Sequence, residues 1–360
     1  MTSVADSLKL FESSRTSAIP NGTGERLTRR AFEGDPERVT WLWKSWLPRG
    51  KLSVQDGDPD KGKSTILLDL AARITTGRAM PDGSPGLEGG GFVLVLMGED
   101  GHQDTTYPRL IAAGADTSRI EALEPAEVLI PRDVPLLEEA IRDTKAVAVF
   151  FDPLNTYLGD EHVNTHNDKH VRQALNPLTA MAELTGCAIV GNRHLNKGGT
   201  GPAIYRGMGS IGIGGLARSV WCVADEPGDG GGYICASVKH NLTRVPSSLR
   251  YTIGSVELPT GSVSRIEWGD TSALTADDIL GEDPAEAGAL VSAITALDAL
   301  LEPLGADGMA AHDVEGWAKS EGLSKRTLAR AKSALGVLSV KQGFECWTWV
   351  LPPIGARVST

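Results

Sequence analysis

The 360-residue sequence predicts an α/β protein, with a mostly parallel central sheet flanked by helices and a small helical domain that ends in a β-hairpin. Short runs of consecutive apolar residues alternate with amphipathic segments, which is typical of buried parallel strands joined by helices. After an acidic stretch the pattern changes to closely spaced helices and a last pair of strands. The chain is 41% apolar and 22% charged, so it can bury a sizeable core in two or three domains.

These changes of pattern predict four segments along the chain. They are a mostly disordered leader at 1–38, a main α/β domain at 39–270, an acidic linker at 271–286 and a C-terminal domain at 287–360. The leader is polar and aperiodic, which is why we expect it to stay without a packed core.

The strongest local signal is the stretch GDPDKGKS followed by a threonine, which fits the pattern G-x-x-x-x-G-K-[ST]. Its residues are Gly57, Asp58, Pro59, Asp60, Lys61, Gly62, Lys63, Ser64 and Thr65. Lys51–Gln55 reads as a strand entering the loop and Ser64–Ile74 as the helix leaving it. Glycines let successive N–H groups point at a phosphate chain, and the helix N-terminus adds partial positive charge. The stretch therefore predicts a phosphate-binding loop in which Lys63 contacts the β- and γ-phosphates of ATP and the Ser64 hydroxyl holds Mg²⁺.

Acidic residues follow two of the predicted strands. Glu99 and Asp100 come shortly after the predicted strand Phe92–Met97, and Asp152 comes directly after the predicted strand Ala146–Phe151. The carboxyl ends of parallel strands are where such sheets bind ligands. ATP hydrolysis needs a carboxylate that activates water, for which Glu99 is the candidate with Asp100 beside it. Asp152 is the expected second Mg²⁺ residue.

His194 follows the next apolar strand, Cys187–Gly191, and is the best placed residue to detect the γ-phosphate. The glycine-rich segment Lys197–Gly215 is predicted to be a mobile loop, either a bare loop or one that contacts DNA or another subunit.

Two further patterns leave alternatives open. Thr40–Leu47 contains three tryptophans, which form either a base-stacking platform or, as we favour, a hydrophobic clasp leading into the first strand. Three histidines, His162, His166 and His170, recur at four-residue intervals, a spacing that on one helix could bind a metal. We favour a loop there, with Asn167 or Asp168 capping the next helix.

The C-terminal pattern of three helices and a hairpin predicts a winged helix-turn-helix. Its last helix, Ser324–Leu335, is capped by Ser324 and is rich in basic residues. The candidate DNA-binding residues are Lys325, Arg326, Arg330, Lys332 and Lys341. The alternative is a basic helix in a protein-docking domain, and we favour phosphate contacts in nucleic acid.

Charge and cysteine usage restrict the class of protein. A net charge of −11 argues against a basic coat over the whole chain, so any contact with nucleic acid must be local. The four cysteines form no C-x-x-C pair, and no apolar stretch is long enough to span a membrane. We therefore expect a soluble cytoplasmic protein with buried thiols and no membrane partner.

Several short stretches of the sequence, and the order in which they occur, resemble the RepA-like branch of the RecA/DnaB ATPases, of the AAA_25 type. They are GDPDKGKST, MGEDG, FFDP, GNRHLNK, RGMGS…ARSVW and SVKHNLT, and the resemblance covers about Thr40 to Trp268. It implies a RecA-like P-loop core and a ring, usually a hexamer, with ATP bound between subunits.

The resemblance also implies an arginine and a lysine supplied in trans to the neighbour's γ-phosphate. The arginine carries over best to Arg218, with Arg206 as second candidate, and the lysine to Lys239. Two departures stand out: Asp60 replaces the glycine usual in relatives, and Asn241 replaces the arginine of the K-x-R motif.

The resemblance thus implies a Mg²⁺-dependent ATPase that works as a DNA motor or helicase in replication of a plasmid, phage or other mobile element, with other replication proteins as possible partners. The leading alternative is an ATP-switched DNA-binding protein that loads a helicase or regulates transcription. A defence or signalling ATPase without a DNA role is the third.

Overall fold

The computed structural model describes residues 38–123, 128–159, 167–195, 203, 206–207, 211–227, 231–281, 284–342 and 346–352. The predicted leader lies outside these residues except for its last position. His162, His166 and most of the predicted mobile loop also lie outside them.

The predicted strands and helices occur in the predicted order, with boundaries that differ by a few residues, and several short strands and helices that the sequence did not predict lie between them. The strands are β1 (Trp41–Trp43), β2 (Leu47–Pro48), β3 (Leu52–Gly57), β4 (Phe92–Met97), β5 (Ile120–Ala122), β6 (Ala146–Asp152), β7 (Ala188–His194), β8 (Ser219–Asp225), β9 (Tyr233–His240), β10 (Ser248–Leu258), β11 (Gly261–Ser272), β12 (Met309–Ala310), β13 (Leu338–Gln342) and β14 (Cys346–Val350). The helices are α1 (Lys63–Thr76), α2 (Tyr107–Ala112), α3 (Val134–Thr144), α4 (Asp168–Thr185), α5 (Ile211–Leu216), α6 (Ala276–Leu280), α7 (Pro284–Leu301), α8 (Ala311–Ser320) and α9 (Lys325–Ala334).

Within the described residues, nine strands form one sheet in the order β11-β10-β9-β8-β3-β7-β6-β4-β5. The six strands from β8 to β5 run parallel, and β9, β10 and β11 extend the sheet as antiparallel strands. Strand β7 lies between the strand that enters the phosphate-binding loop and the strand that ends in Asp152. The predicted α/β fold with a mostly parallel RecA-like sheet is confirmed.

Apolar layers cover both faces of this sheet. One layer contains α1 and the tryptophans before β3, and the other contains α3 and α4. Trp43 and Trp46 are fully buried and stack with ring centroids 4.8 Å apart, which supports the hydrophobic clasp over a base-stacking platform. Three of the cysteines, Cys187, Cys222 and Cys235, are free and buried, as expected.

Two local expectations need correction. The segment predicted as a mobile loop contains the short helix α5 near its end, so its last residues are ordered by main-chain hydrogen bonds. The predicted acidic linker contains α6, and Leu274, Ala276 and Leu280 are buried. They pack in a third apolar cluster together with β8, β9 and the C-terminal helices, because burying their apolar side chains away from water is favourable.

The C-terminal residues form helix α7, strand β12, helices α8 and α9, and the hairpin of β13 and β14. Among the described residues the three strands pair in the order β12-β14-β13. The Ser324 hydroxyl accepts a hydrogen bond from the Thr327 amide at 3.0 Å, so the predicted cap of α9 is present.

No helix in the described part of the chain combines the length and apolar character needed to cross a bilayer.

Candidate nucleotide-binding site

The loop between β3 and α1 has the backbone shape that its sequence predicts. Gly62 adopts φ 73° and ψ 18°, and Asp60 adopts φ 62°, so both lie in the left-handed region. Glycine reaches this region without steric cost, and aspartate tolerates it better than most residues. Aspartate at position 60, where relatives usually have glycine, therefore retains the turn and adds a carboxylate to the loop.

The Lys63 side chain lies folded back over the loop. Its Nζ atom donates a hydrogen bond to the Asp58 carbonyl at 2.6 Å, and the residue is only 7% exposed. Burial lowers the pKa of the Lys63 ammonium, while the nearby carboxylates, Asp152 first, partly oppose the shift. A phosphate oxygen offers this ammonium a charged acceptor that the carbonyl does not provide.

Asp152, at the end of β6, lies beside Ser64. Burial raises the pKa of its carboxyl, and polar contacts with Ser64 and Asn192 partly offset that rise. Its Oδ2 atom is inaccessible to solvent and completes no hydrogen bond with any described residue. An unpaired carboxylate oxygen next to a hydroxyl fits a Mg²⁺ ion, which takes oxygen ligands and retains several waters. Ser64 and Asp152 are thus the residues suited to hold the ion with its waters.

The two acids after β4 have different surroundings. Asp100 accepts a hydrogen bond from the Arg109 guanidinium at 2.6 Å and is thereby held in an ion pair. Glu99 is exposed and makes no hydrogen bond or ion pair within the described residues. The Gly98 amide donates to the Asp152 carbonyl at 2.7 Å, which places the start of this turn beside Asp152. Glu99 is therefore the carboxylate that remains available to a water molecule.

His194 lies at the end of β7, directly opposite Gly57 in the parallel pairing with β3. Its Nδ1 atom is buried and has no hydrogen-bond partner among the described residues. The side chain is thus next to the first residue of the phosphate-binding loop, where the sequence predicted it.

Sequence reasoning missed a buried ion pair below the loop. The guanidinium of Arg193 donates from Nε and Nη2 to the two carboxylate oxygens of Asp56, each at 2.7 Å, and both side chains are almost fully buried. This ion pair joins the carboxyl ends of β3 and β7. Charged residues of opposite sign inside two buried strands are the signal that identifies such a pair.

Strand β8 and the antiparallel strands next to it hold the loop from the other side. Lys61 forms an ion pair with Asp225 at 2.8 Å, and its carbonyl accepts a hydrogen bond from the Tyr251 hydroxyl at 2.6 Å. Gly62 faces Ile253 and Ile266, and a Cβ there would lie 3.0 Å from Ile253 Cδ1. The antiparallel extension therefore fixes the conformation of the phosphate-binding loop.

Arg218 and Lys239 lie at the opposite edge of the sheet, away from the loop of their own chain. The Arg218 amide donates to the carbonyl of Leu52, at the amino end of β3. Lys239 Nζ donates to three carbonyls at the end of α5, at 2.8–3.1 Å. The Asn241 amide, oriented by its hydrogen bonds, contacts the Arg218 carbonyl at 3.1 Å and the Arg218 guanidinium at 3.2 Å. Arg218 is exposed and its guanidinium contacts the exposed Asn241 amide, whereas the Lys239 ammonium is held by three carbonyls.

Arg206 donates from Nη1 to the Leu280 carbonyl. This contact joins the segment before α5 to the end of α6. The second candidate for a trans arginine is therefore in contact with its own chain.

The five basic candidates in the C-terminal region divide into two groups. Lys325, Arg326 and Lys341 are exposed. Arg330 forms an ion pair with Asp278 of α6, and Lys332 lies 3.9 Å above the ring of Trp349. The second group contributes to packing within the chain, which the sequence pattern did not indicate.

In the part of the chain that the structure describes, no group of three or more histidine, cysteine, aspartate or glutamate side chains is arranged as a metal site. His170 lies in the first turn of α4, where the Asn167 side chain caps the helix by accepting from the Lys169 amide at 3.0 Å. The sequence predicted either Asn167 or Asp168 for this cap, and Asn167 forms it.

Comparison with known proteins agrees with this geometry. A family model described as an AAA domain (AAA_25) matches residues 15–200, or 186 of the 360 residues. The chain is also similar to the DNA repair protein RadA of Halalkalibacterium halodurans, with 28% identity over 163 residues. That match covers 44% of this chain and 31% of RadA, so the chain spans about a third of the length of this relative.

Proposed function

The chain belongs to the AAA domain family (AAA_25) and has a RecA-like P-loop core; on this premise we propose that it binds ATP with Mg²⁺ and hydrolyses it. The observation that carries the proposal is the convergence of four groups at one edge of the sheet. They are the phosphate-binding loop, the unpaired Asp152 Oδ2, the available Glu99 and the half-buried His194. Each corresponds to a part that ATP hydrolysis requires.

The roles follow from these positions. The backbone N–H groups of the loop from Gly57 to Thr65, other than Pro59, which has none, bind the phosphates together with the Lys63 ammonium. Ser64 and Asp152 hold Mg²⁺ with its waters. Mg²⁺, when bound, neutralises the charge that develops on the phosphate oxygens. Glu99 orients and deprotonates the attacking water, with Asp100 held beside it by Arg109. His194 detects the γ-phosphate from the neighbouring strand.

The positions of Arg218 and Lys239 support a site shared between copies of the chain. A basic group at the edge opposite the loop cannot serve its own nucleotide, but it can reach that of a neighbour in a closed head-to-tail assembly. We propose a ring, with Arg218 as the residue supplied in trans. Lys239 acts in this way only if it leaves the carbonyls of α5.

The C-terminal elements support a winged helix-turn-helix that binds duplex DNA. The order helix, strand, two helices and hairpin agrees with this motif, and the exposed Lys325, Arg326 and Lys341 supply positive charge for phosphate contacts. DNA is thus the proposed partner. A DNA motor in replication of a mobile element remains our first proposal for the biological role.

One contact favours a second candidate, an ATP-switched DNA-binding protein without unwinding activity. Arg330 of the basic helix α9 pairs with Asp278 of α6, and α6 packs against β8 and β9 of the ATPase sheet. A change in the ATPase domain can therefore reach the basic helix without strand separation. A strand-displacement assay with ATP and with a non-hydrolysable analogue separates the two: only a motor releases the strand, and only with ATP.

Lys63→Ala and Glu99→Gln test the central proposal. We expect Lys63→Ala to abolish ATP turnover, because the phosphates lose their positive partner. We expect Glu99→Gln to retain ATP binding and to lose at least about 100-fold in turnover, since general base catalysis contributes roughly 10²–10⁴-fold. Phosphate release measures turnover, and a fluorescent ATP analogue measures binding. Turnover that survives in Lys63→Ala refutes the assignment of the site.

A further inference from the structure

Three buried polar side chains next to the phosphate-binding loop form a hydrogen-bonded chain to which the proposed roles assign nothing. Gln55, Asn192 and Trp221 are each 0% exposed and lie on the adjacent strands β3, β7 and β8. Gln55 is opposite Asn192 on one side and opposite Trp221 on the other. Buried polar groups in an apolar sheet are costly unless they are paired, so this row needs an explanation.

The hydrogen bonds of this row fix the orientation of Gln55. The indole N–H of Trp221 can only donate, and it does so to the Gln55 Oε1 atom at 2.8 Å. Gln55 Nε2 must therefore face the other way. It donates to the Lys63 carbonyl at 2.9 Å and to the Asn192 Oδ1 atom at 2.7 Å.

The orientation of Asn192 follows from that of Gln55. Because Oδ1 accepts from Gln55, the Nδ2 group faces the opposite side. Phe151 is opposite Gly191 in the pairing of β6 with β7, so Asp152 lies beside Asn192 there. The Nδ2 group has no hydrogen-bond partner among the described residues.

Two unpaired groups of complementary type thus lie side by side. Asn192 Nδ2 is a donor without an acceptor, and Asp152 Oδ2 is an acceptor without a donor. Leaving a buried polar group unsatisfied is costly. A water molecule accepts from the first and donates to the second, and it therefore satisfies both.

We propose that Asn192 is a positioning residue that holds a water molecule on Asp152, in the shell of the nucleotide-bound divalent cation, with its orientation set by Trp221 through Gln55. This inference rests on the proposed function, which supplies the nucleotide and the cation. Asn192 differs in role from His194, because it acts on the Asp152 side of the site and its orientation is fixed before nucleotide binds. Gln55 also bonds the Lys63 carbonyl, so one amide joins the phosphate-binding loop to the cation side.

The test measures the affinity of the protein for Mn²⁺, the probe cation, by electron paramagnetic resonance in the presence of ADP. Asn192→Leu retains a similar volume and removes the donor. We expect Mn²⁺ affinity to fall about 10- to 100-fold, the usual effect of losing a group that orients a metal ligand. ADP affinity without a divalent cation should stay within about threefold of wild type, and kcat for ATP should fall with the Mn²⁺ affinity.

Gln55→Leu tests the orienting role separately. It leaves Asn192 in place but lets its amide rotate, so we expect a smaller loss of Mn²⁺ affinity than in Asn192→Leu. The double variant should bind Mn²⁺ no more weakly than Asn192→Leu alone, because Gln55 acts through Asn192. Additive losses overturn the orienting role.

Two further variants serve as controls. Asn176→Leu makes the same change on α4 and should leave Mn²⁺ affinity and kcat unchanged. Asn192→Asp still accepts from Gln55 but cannot donate to the water, so kcat must fall at least about tenfold even if Asn192→Leu does not fold.

The outcomes separate this inference from the function on which it rests. Wild-type Mn²⁺ affinity and kcat in both Asn192 variants overturn the positioning role and leave the ATPase proposal standing. A wild-type protein whose ADP and Mn²⁺ binding is absent, or is insensitive to Lys63→Ala, overturns the ATPase proposal itself.

Discussion

Removing the arginine of the buried Asp56–Arg193 pair should destabilise the protein strongly. In Arg193→Leu the Asp56 carboxylate stays below the surface, where its side chain is only 3% exposed, without its bidentate partner. Breaking a buried ion pair on one side typically costs about 3–5 kcal/mol, because the remaining charge is desolvated and unpaired. We expect a loss of that size in the free energy of unfolding, measured by urea titration with tryptophan fluorescence.

Two comparisons make this result interpretable. The double variant Asp56→Leu/Arg193→Leu removes both charges and should recover most of the loss, since apolar replacement of a whole buried pair is often close to neutral. Glu183→Ala breaks the Lys51–Glu183 pair, which is 2.8 Å long against 2.7 Å for the buried pair but has a 57% exposed Glu183 side chain, and should cost less than about 1 kcal/mol. If Arg193→Leu costs no more than Glu183→Ala, the reasoning from burial is wrong.

Three further predictions concern the surface and the core. Lys325→Ala combined with Arg326→Ala should weaken duplex binding at all sequences and reduce the slope of log affinity against log salt by about 1.8, measured by fluorescence anisotropy; an unchanged slope contradicts the DNA-binding proposal. Arg330→Ala should instead lower thermal stability, because it breaks the pair with α6. Burial raises the pKa of the Cys187 thiol to about 12, so at pH 8 iodoacetamide should label it only after unfolding, as measured by mass spectrometry. Labelling of the native protein at the rate of a free thiol contradicts the burial.

The phosphate-binding loop and the strands around it could be predicted because their signals are local. A G-x-x-x-x-G-K-[ST] pattern encodes a backbone shape within eight residues, and apolar runs such as Phe92–Met97 encode buried strands by composition alone. Acids placed directly after such strands are brought to one edge by any parallel sheet. Glu99, Asp152 and His194 therefore lie at the carboxyl ends of the parallel strands, as the sequence predicted.

The sequence could not show which polar groups are already paired within the chain. Arg330 and Lys332 have the same composition signal as Lys325, and only the contacts with Asp278 and Trp349 show that they are engaged within the chain. Lys239 likewise finds its partners on α5, which short-range patterns do not encode.

The sequence by itself determined that a nucleotide-type loop enters an α/β sheet with acids at the strand ends. The tertiary structure decided that β7 is inserted between the loop strand and the Asp152 strand, and this brings Gln55 and Asn192 into contact across 137 residues of chain. Strand order in a parallel sheet depends on how crossover helices pack on both faces, and that depends on contacts far apart in sequence. The loop could therefore be found by its pattern, whereas the amide row that connects it to the cation side of the site required the folded sheet.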